Sequence, residues 1–189
     1  MKTLKFKAIV VLTVMTLISC GGSTSKQPAN AEGFGAIEKE LKSKFGENAY
    51  YTDLTITYDK SLGSWISVTV TDNPESLKMG QWNLSQDTWT QNSEISLEVP
   101  QDSKAADFMF QLNNKINLTK LGELVEKSTI KLKTEKNIEN ALLHMALVKF
   151  PKNGNIVKTE YTVMLKPENG GTTFTFRYKL NGNLIKMDY

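Results

Sequence analysis

Side chains able to do covalent or metal chemistry are scarce in this 189-residue chain, which has one histidine, His144, and one cysteine, Cys20. A single imidazole and a single thiol cannot form a CxxC, HxH or HExxH spacing, so a transition metal has no ligand set. Calcium loops need carboxylates at alternate positions, whereas Asp53, Asp59, Asp72 and Asp102 stand apart in the chain. The expectation is a domain with no metal or other cofactor. His144 lies between Leu143 and Met145 in the apolar run ALLHMALVKF, where a strand would set it on one face with Leu142 and Ala146. It reads as a structural histidine, either satisfied in the core or facing outward, and no GxSxG surrounds any serine. Two SxxK spacings, Ser23 to Lys26 and Ser128 to Lys131, match serine enzymes with a lysine base. Thirteen serines and 22 lysines in 189 residues generate a pair or two by chance, and no SDN or KTG accompanies them. Gly33-Phe34-Gly35 has no third glycine at the dinucleotide spacing and no strand before it. No catalytic residue is assigned. A carboxylate pair for glycoside hydrolysis is a tertiary property that spacing does not reveal.

The unevenly distributed side chains are aromatic. All three tryptophans, Trp65, Trp82 and Trp89, fall in the first half of the chain, two of them within the polar segment MGQWNLSQDTWTQ. Beside Gln81, Asn83, Gln86 and Gln91 they form a candidate binding patch, since indole joins a large apolar area to one donor and can stack on sugar rings or anchor a protein. Packing on the sheet's outer face or under the loop from Asp72 to Met79 is the competing reading.

The elements that must position these residues begin after an export signal. Lys2, Lys5 and Lys7 form a basic patch, and Ala8 to Ile18 is an apolar core of eleven residues, too short to span a bilayer as a helix. It ends Leu17-Ile18-Ser19-Cys20, which resembles the lipobox of bacterial lipoproteins at every position. That resemblance implies a diacylglycerol thioether on Cys20, cleavage between Ser19 and Cys20, acylation of the new amino terminus, and the membrane as a partner through that lipid. With no second cysteine, Cys20 has no disulfide partner in an oxidising compartment. Without Asp at position 21, similarity to Gram-negative lipoproteins points to the outer membrane, facing the periplasm. The signal also removes three lysines, which leaves 20 basic against 20 acidic side chains, so the formal charge of +3 belongs to the leader. Composition gives no argument for a nucleic-acid partner. Residues 20–30, small and polar, read as a flexible tether.

Residues 31–189 read as one α+β domain. Asn30 caps a helix whose face carries Phe34, Ile37, Leu41 and Phe45, closed by Gly46. A period of two follows, with Leu54, Ile56 and Tyr58 in one strand and Ile66, Val68 and Val70 in the next, across the turn Asp59 to Gly63. Two further strands are expected, around Gly80 to Asp87 and from Thr90 to Val99, and a short one at Phe108, Phe110 and Leu112. A second helix starts near Asn117, with Leu118, Leu121, Val125, Ser128 and Leu132 in a stripe. Ala141 to Phe150 fits helix or strand by period alone; the turn formers Pro151 to Asn155 favour a strand. Val157, Thr159, Tyr161, Val163 and Leu165 then define one strand, and Phe174 to Leu180 and Leu184 to Tyr189 two more.

The expectation is an antiparallel sheet of about eight strands with two main helices on its concave face. The pattern helix-then-four-strands occurs over 31–100 and again over 107–189, which suggests tandem repeats; one unsymmetrical domain fits as well. This order of elements resembles the PepSY and beta-lactamase-inhibitor-protein classes of periplasmic fold in architecture, without a motif of either. Such a resemblance implies no function. An envelope-anchored binding or scaffold module for a protein or a carbohydrate polymer is the reading favoured. The alternatives are an envelope hydrolase with dispersed carboxylates, or an inhibitor-like module presenting Tyr161 and Tyr178 on an open sheet face.

Overall fold

Asn30 and Asn117 each stand in extended backbone and turn a side-chain oxygen onto the N–H three residues ahead, Gly33 at 2.9 Å and Lys120 at 2.8 Å. Each thereby starts a helix, α1 (Ala31–Phe45) and α2 (Leu118–Lys136). The computed structural model describes residues 23–189; Ser19, Cys20 and the signal segment lie outside the described residues. The two helices also cap each other. The Leu118 N–H donates to Glu38 of α1 at 2.7 Å, and the Ala31 N–H donates to Glu126 of α2 at 3.2 Å. A carboxylate at a helix N-terminus satisfies a free N–H and faces the positive end of the helix dipole, so the crossing is specified by polar groups as well as by packing.

Eight strands follow from the period-two segments: β1 (Tyr50–Asp59), β2 (Gly63–Thr71), β3 (Lys78–Ser85), β4 (Thr88–Ser96), β5 (Ala141–Lys149), β6 (Glu160–Pro167), β7 (Phe174–Lys179) and β8 (Leu184–Asp188). They form one antiparallel sheet in the order β4-β3-β2-β1-β5-β6-β7-β8. The α+β class and the eight-stranded sheet with two helices are as the sequence predicts. Each half is a helix followed by a four-stranded meander, and the halves join through their first strands, with Leu54 opposite Val148 and Ile56 opposite Ala146. One contiguous core runs across the join: Phe34, Ile37 and Leu41 of α1 and Leu121, Val125 and Leu132 of α2 are buried in one cluster with Ile56, Ile66, Val163 and Phe176. A second cluster of Met79, Ala105 and Met109 forms where the chain after β4 folds back on the sheet.

Several segments depart from expectation, among them the strand expected from Thr90 to Val99, which runs over Thr88–Ser96. The strand expected at Phe108, Phe110 and Leu112 is a 3₁₀ turn, Ala105–Phe108, followed by a single bridge in which Phe110 and Tyr51 exchange two N–H···O bonds of 2.8 Å. Strand β1 already pairs with β2 and β5, and the β5 pairing runs only from Leu54 to Thr57, so Phe110 takes the open N-terminal stretch of β1. Strand β6 starts at Glu160, not Val157, because Asn155 accepts the Val157 N–H at 3.1 Å and winds Ile156–Lys158 into a 3₁₀ turn that leaves Val157 87% exposed. On β5 a bulge between Leu143 and Met145 shifts the alternation, so Leu143 and Ala146 face the core while His144 is exposed.

The described part of the expected tether is bound to the domain. Thr24–Lys26 is a 3₁₀ turn, and Ser25 is only 3% exposed. The Asp87 carboxylate in the β3–β4 turn accepts the Ser25 N–H at 2.9 Å and the Ser23 hydroxyl. The Ser25 carbonyl lies 2.0 Å from where a Cβ on Gly63 would sit, so this docking needs glycine at the β1–β2 turn. The Ser23 hydroxyl bond, then the Ser25 N–H, holds the Asp87 carboxyl below the usual carboxylate range. A lowered folded-state pKa gives a stabilisation that is complete above the unfolded value of about 3.9 and is lost as pH falls through the lower folded value. Asp87→Ala should therefore speed hydrogen exchange at the Ser25 amide severalfold at neutral pH, and wild type should show the same release only in acid, below about pH 4. Unchanged exchange in the variant would mean that other contacts hold the segment.

Candidate functional site

The sheet separates the three tryptophans. Trp82 pairs with Val68, and Leu84, opposite Trp89, pairs with Ile66, so both indoles lie on the helix side with the core residues. Trp65 has the other parity on β2. It stands on the far face, 48% exposed, donating its Nε1–H to the Ser67 hydroxyl at 3.2 Å, and Ser67 in turn donates to Asn83 at 2.7 Å. A single patch of Trp65, Trp82 and Trp89 is thus excluded by alternation: an odd and an even position on neighbouring strands in this register point to opposite faces.

Phe45, the last residue of α1, organises the two remaining indoles with edge-on contacts to Trp82 at 5.7 Å and Trp89 at 5.0 Å between centroids. Trp89 is pinned, its Nε1–H donating to Glu40 of α1 at 2.9 Å, and its role is to fasten the helix to β4. Trp82 borders open space. The helix ends beside it, and its indole lies over Gly80, where a Cβ would come within 2.4 Å of Nε1. A cleft of about 470 Å³ opens there, lined by Lys44, Phe45, Asp72, Asn73, Trp82, Gln91 and Glu94 among others. The Lys44 ammonium sits 4.9 Å from the Trp82 ring centroid, and Glu94 pairs with Lys78 at 3.2 Å. An aromatic wall, a cation, carboxylates and two amides can hold a polar ligand by stacking and hydrogen bonds.

The groups considered for chemistry lie elsewhere. Ser128 is fully buried, its hydroxyl bonded to the Leu124 carbonyl and the Tyr178 hydroxyl, each at 2.7 Å, so its spacing to Lys131 is structural. Ser23 is engaged by Asp87. Burial pushes the Asp53 carboxyl above the usual range, against a hydrogen bond from Thr55, yet Asp53 does not line the Trp82 cleft. Backbone N–H groups of Leu62 and Ser61 lower Asp59. Among the described residues no three His, Cys, Asp or Glu side chains gather to hold a metal ion. Tyr161 and Tyr178 are buried under α2 rather than displayed on an open face. The Tyr161 hydroxyl accepts the Asn117 N–H at 2.9 Å, and burial pushes its pKa up to about 12. The inhibitor-like reading loses the feature that suggested it.

Lys44, Asn73 and Glu94 were not legible as site residues, because polar side chains on a helix end, a loop and an edge strand carry no spacing signal. The Gly80-x-Trp82 spacing did carry one: two residues apart on a strand share a face, and the glycine leaves room for the indole. No family model matches the chain, and no curated protein matches it. Among solved structures the chain aligns with a putative lipoprotein from Clostridium difficile 630 at 15% identity, over 81% of this chain and 89% of that one, with a TM-score of 0.48.

Proposed function

We propose that this chain is a lipoprotein of the bacterial outer membrane, cleaved before Cys20 and facing the periplasm, whose domain binds an envelope polymer of carbohydrate in the Trp82 cleft. The observation that supports the ligand site is the pairing of an aromatic wall with hydrogen-bonding side chains in a cleft that the end of α1 leaves uncovered. Sugars present hydroxyl groups at their rims and C–H groups on their faces, so indole and amide side chains together match both. Binding needs no nucleophile and base in contact, in keeping with buried Ser128 and a His144 carried on a different strand from the cleft. The lipid on Cys20 would hold the binding module at the membrane, so that the captured polymer and the membrane are tied together.

Titration of the protein with soluble glycan fragments of the cell wall, followed by intrinsic fluorescence and calorimetry, tests this reading. Trp82→Ala should weaken binding about tenfold or more, the scale of losing one well-packed aromatic contact. Trp65→Ala, on the other face of the sheet, should leave it unchanged. A wild-type protein that binds no envelope glycan at millimolar concentration, or equal affinity in the Trp82 variant, would overturn the assignment. Circular dichroism of both variants keeps a folding defect from being read as lost binding.

A further inference from the structure

Two exposed apolar side chains, Leu62 at 65% and Trp65 at 48%, stand at the end of the sheet where residues 23–26 dock. They flank a hollow of about 280 Å³ on the far face, which Gly63, Ser85 and Gln86 also line. The acidic groups at this end are turned onto donors: Asp59 accepts the Ser61 and Leu62 N–H groups at 2.8 Å, and Asp87 holds Ser23 and Ser25. Lys60 pairs with Glu168. Among the described residues no element covers these hydrophobic groups, which stand where the described chain begins, nearest to Cys20.

We propose that this end of the domain, with Leu62 and Trp65 at its tip, rests on the lipid bilayer and sets the orientation of the whole molecule. The inference stands on the reading that Cys20 is lipidated. Two residues, Gly21 and Gly22, separate Cys20 from Ser23, and those three chain steps reach at most about 11 Å when fully extended. A free ten-residue tether would allow a root-mean-square span of about 16 to 19 Å in any direction. Docking by Asp87 and Gly63 removes that freedom, so the β1–β2 and β3–β4 turns are held at the headgroup layer, where tryptophan is enriched. The Trp82 cleft is then carried away from the membrane. It lies at the other end of β2, beside Val70 and Thr71, and at the C-terminal end of α1. Nine strand residues span about 30 Å and fifteen helical residues about 22 Å, so the cleft opens roughly 20 to 30 Å above the bilayer surface.

The test uses the full-length lipidated protein in vesicles of phosphatidylethanolamine and phosphatidylglycerol that carry a shallow spin-labelled lipid. Because Cys20 is blocked as a thioether, Leu62→Cys and Asn73→Cys each provide one free thiol for an environment-sensitive fluorophore. Flotation with the vesicles reports the anchor, and quenching reports depth. The expected result is co-flotation of both proteins, with quenching at position 62 at least twofold stronger than at position 73 in the cleft. Co-flotation with equal quenching at the two positions overturns the orientation alone. Protein left behind by the vesicles overturns the anchor, and the orientation with it.

Discussion

Replacing Cys20 with alanine should abolish palmitate incorporation and leave the protein without its lipid anchor. The candidate anchors can be compared in size. The signal core is eleven apolar residues, short of the ~20 needed to span a bilayer, and among the described residues no helix is long and apolar enough to cross one. Leu62 and Trp65 at the bilayer surface would contribute at most about 3 kcal/mol each. Each methylene of an acyl chain contributes about 0.8 kcal/mol, so two or three chains exceed that several times over. The variant should also retain its leader, because the cleavage that the lipobox implies depends on the modified cysteine. Fractionation, labelling with palmitate and the mass of the amino-terminal peptide report this directly. A variant that stays in the membrane and is processed normally would refute the lipid anchor.

Gly122→Ala should lower stability by about 2 kcal/mol, which for a domain of this size is a drop of roughly 4 to 8 °C in Tm. Helix propensity alone predicts the opposite sign, since alanine is favoured over glycine in a helix interior by about 1 kcal/mol. Packing decides the outcome. A Cβ at Gly122 would lie 2.4 Å from the Asn30 carbonyl oxygen and 2.7 Å from the Ala31 Cα, backbone atoms that can yield only if the helices separate. Separation would also strain the Glu126 bond to the Ala31 N–H and the Glu38 bond to the Leu118 N–H. Gly35 is the control, because a Cβ there meets only the Thr119 hydroxyl oxygen at 3.0 Å, on a side chain that can rotate. Gly35→Ala should be neutral or stabilising by a few tenths of a kcal/mol. Equal effects of the two substitutions in thermal or urea unfolding would show that the crossing is looser than its geometry indicates.

Much of the fold was legible because it depends on interactions close in sequence. Asn30 and Asn117 start their helices by bonding three residues ahead, β7 alternates along its length, and β1 and β2 alternate through their paired middles about a tight turn, so period and turn chemistry suffice to place them. The segments that misled are those in which a distant partner overrides a local preference. Phe110 alternates with Phe108 and Leu112 like a strand, yet only Phe110 finds an open edge. Residues 23–30 are polar and small like a free linker, yet an acceptor some sixty residues away holds them. The β5 bulge separates outward-facing His144 from buried Ala146, with which plain alternation would pair it, since one extra residue reverses all parity beyond it.

By itself, then, the sequence determined the parts of the domain: two capped helices, and strands enough for one antiparallel sheet. Those follow from composition and from periods of 3.6 and 2, which act over a few residues. Only the tertiary structure decided which tryptophan does what. It assigned Trp89 to Glu40 and Phe45, left Trp82 beside an open cleft, and turned Trp65 to the opposite face. Strand register and the length of α1 set those three environments, and both are settled by packing between segments far apart in the chain.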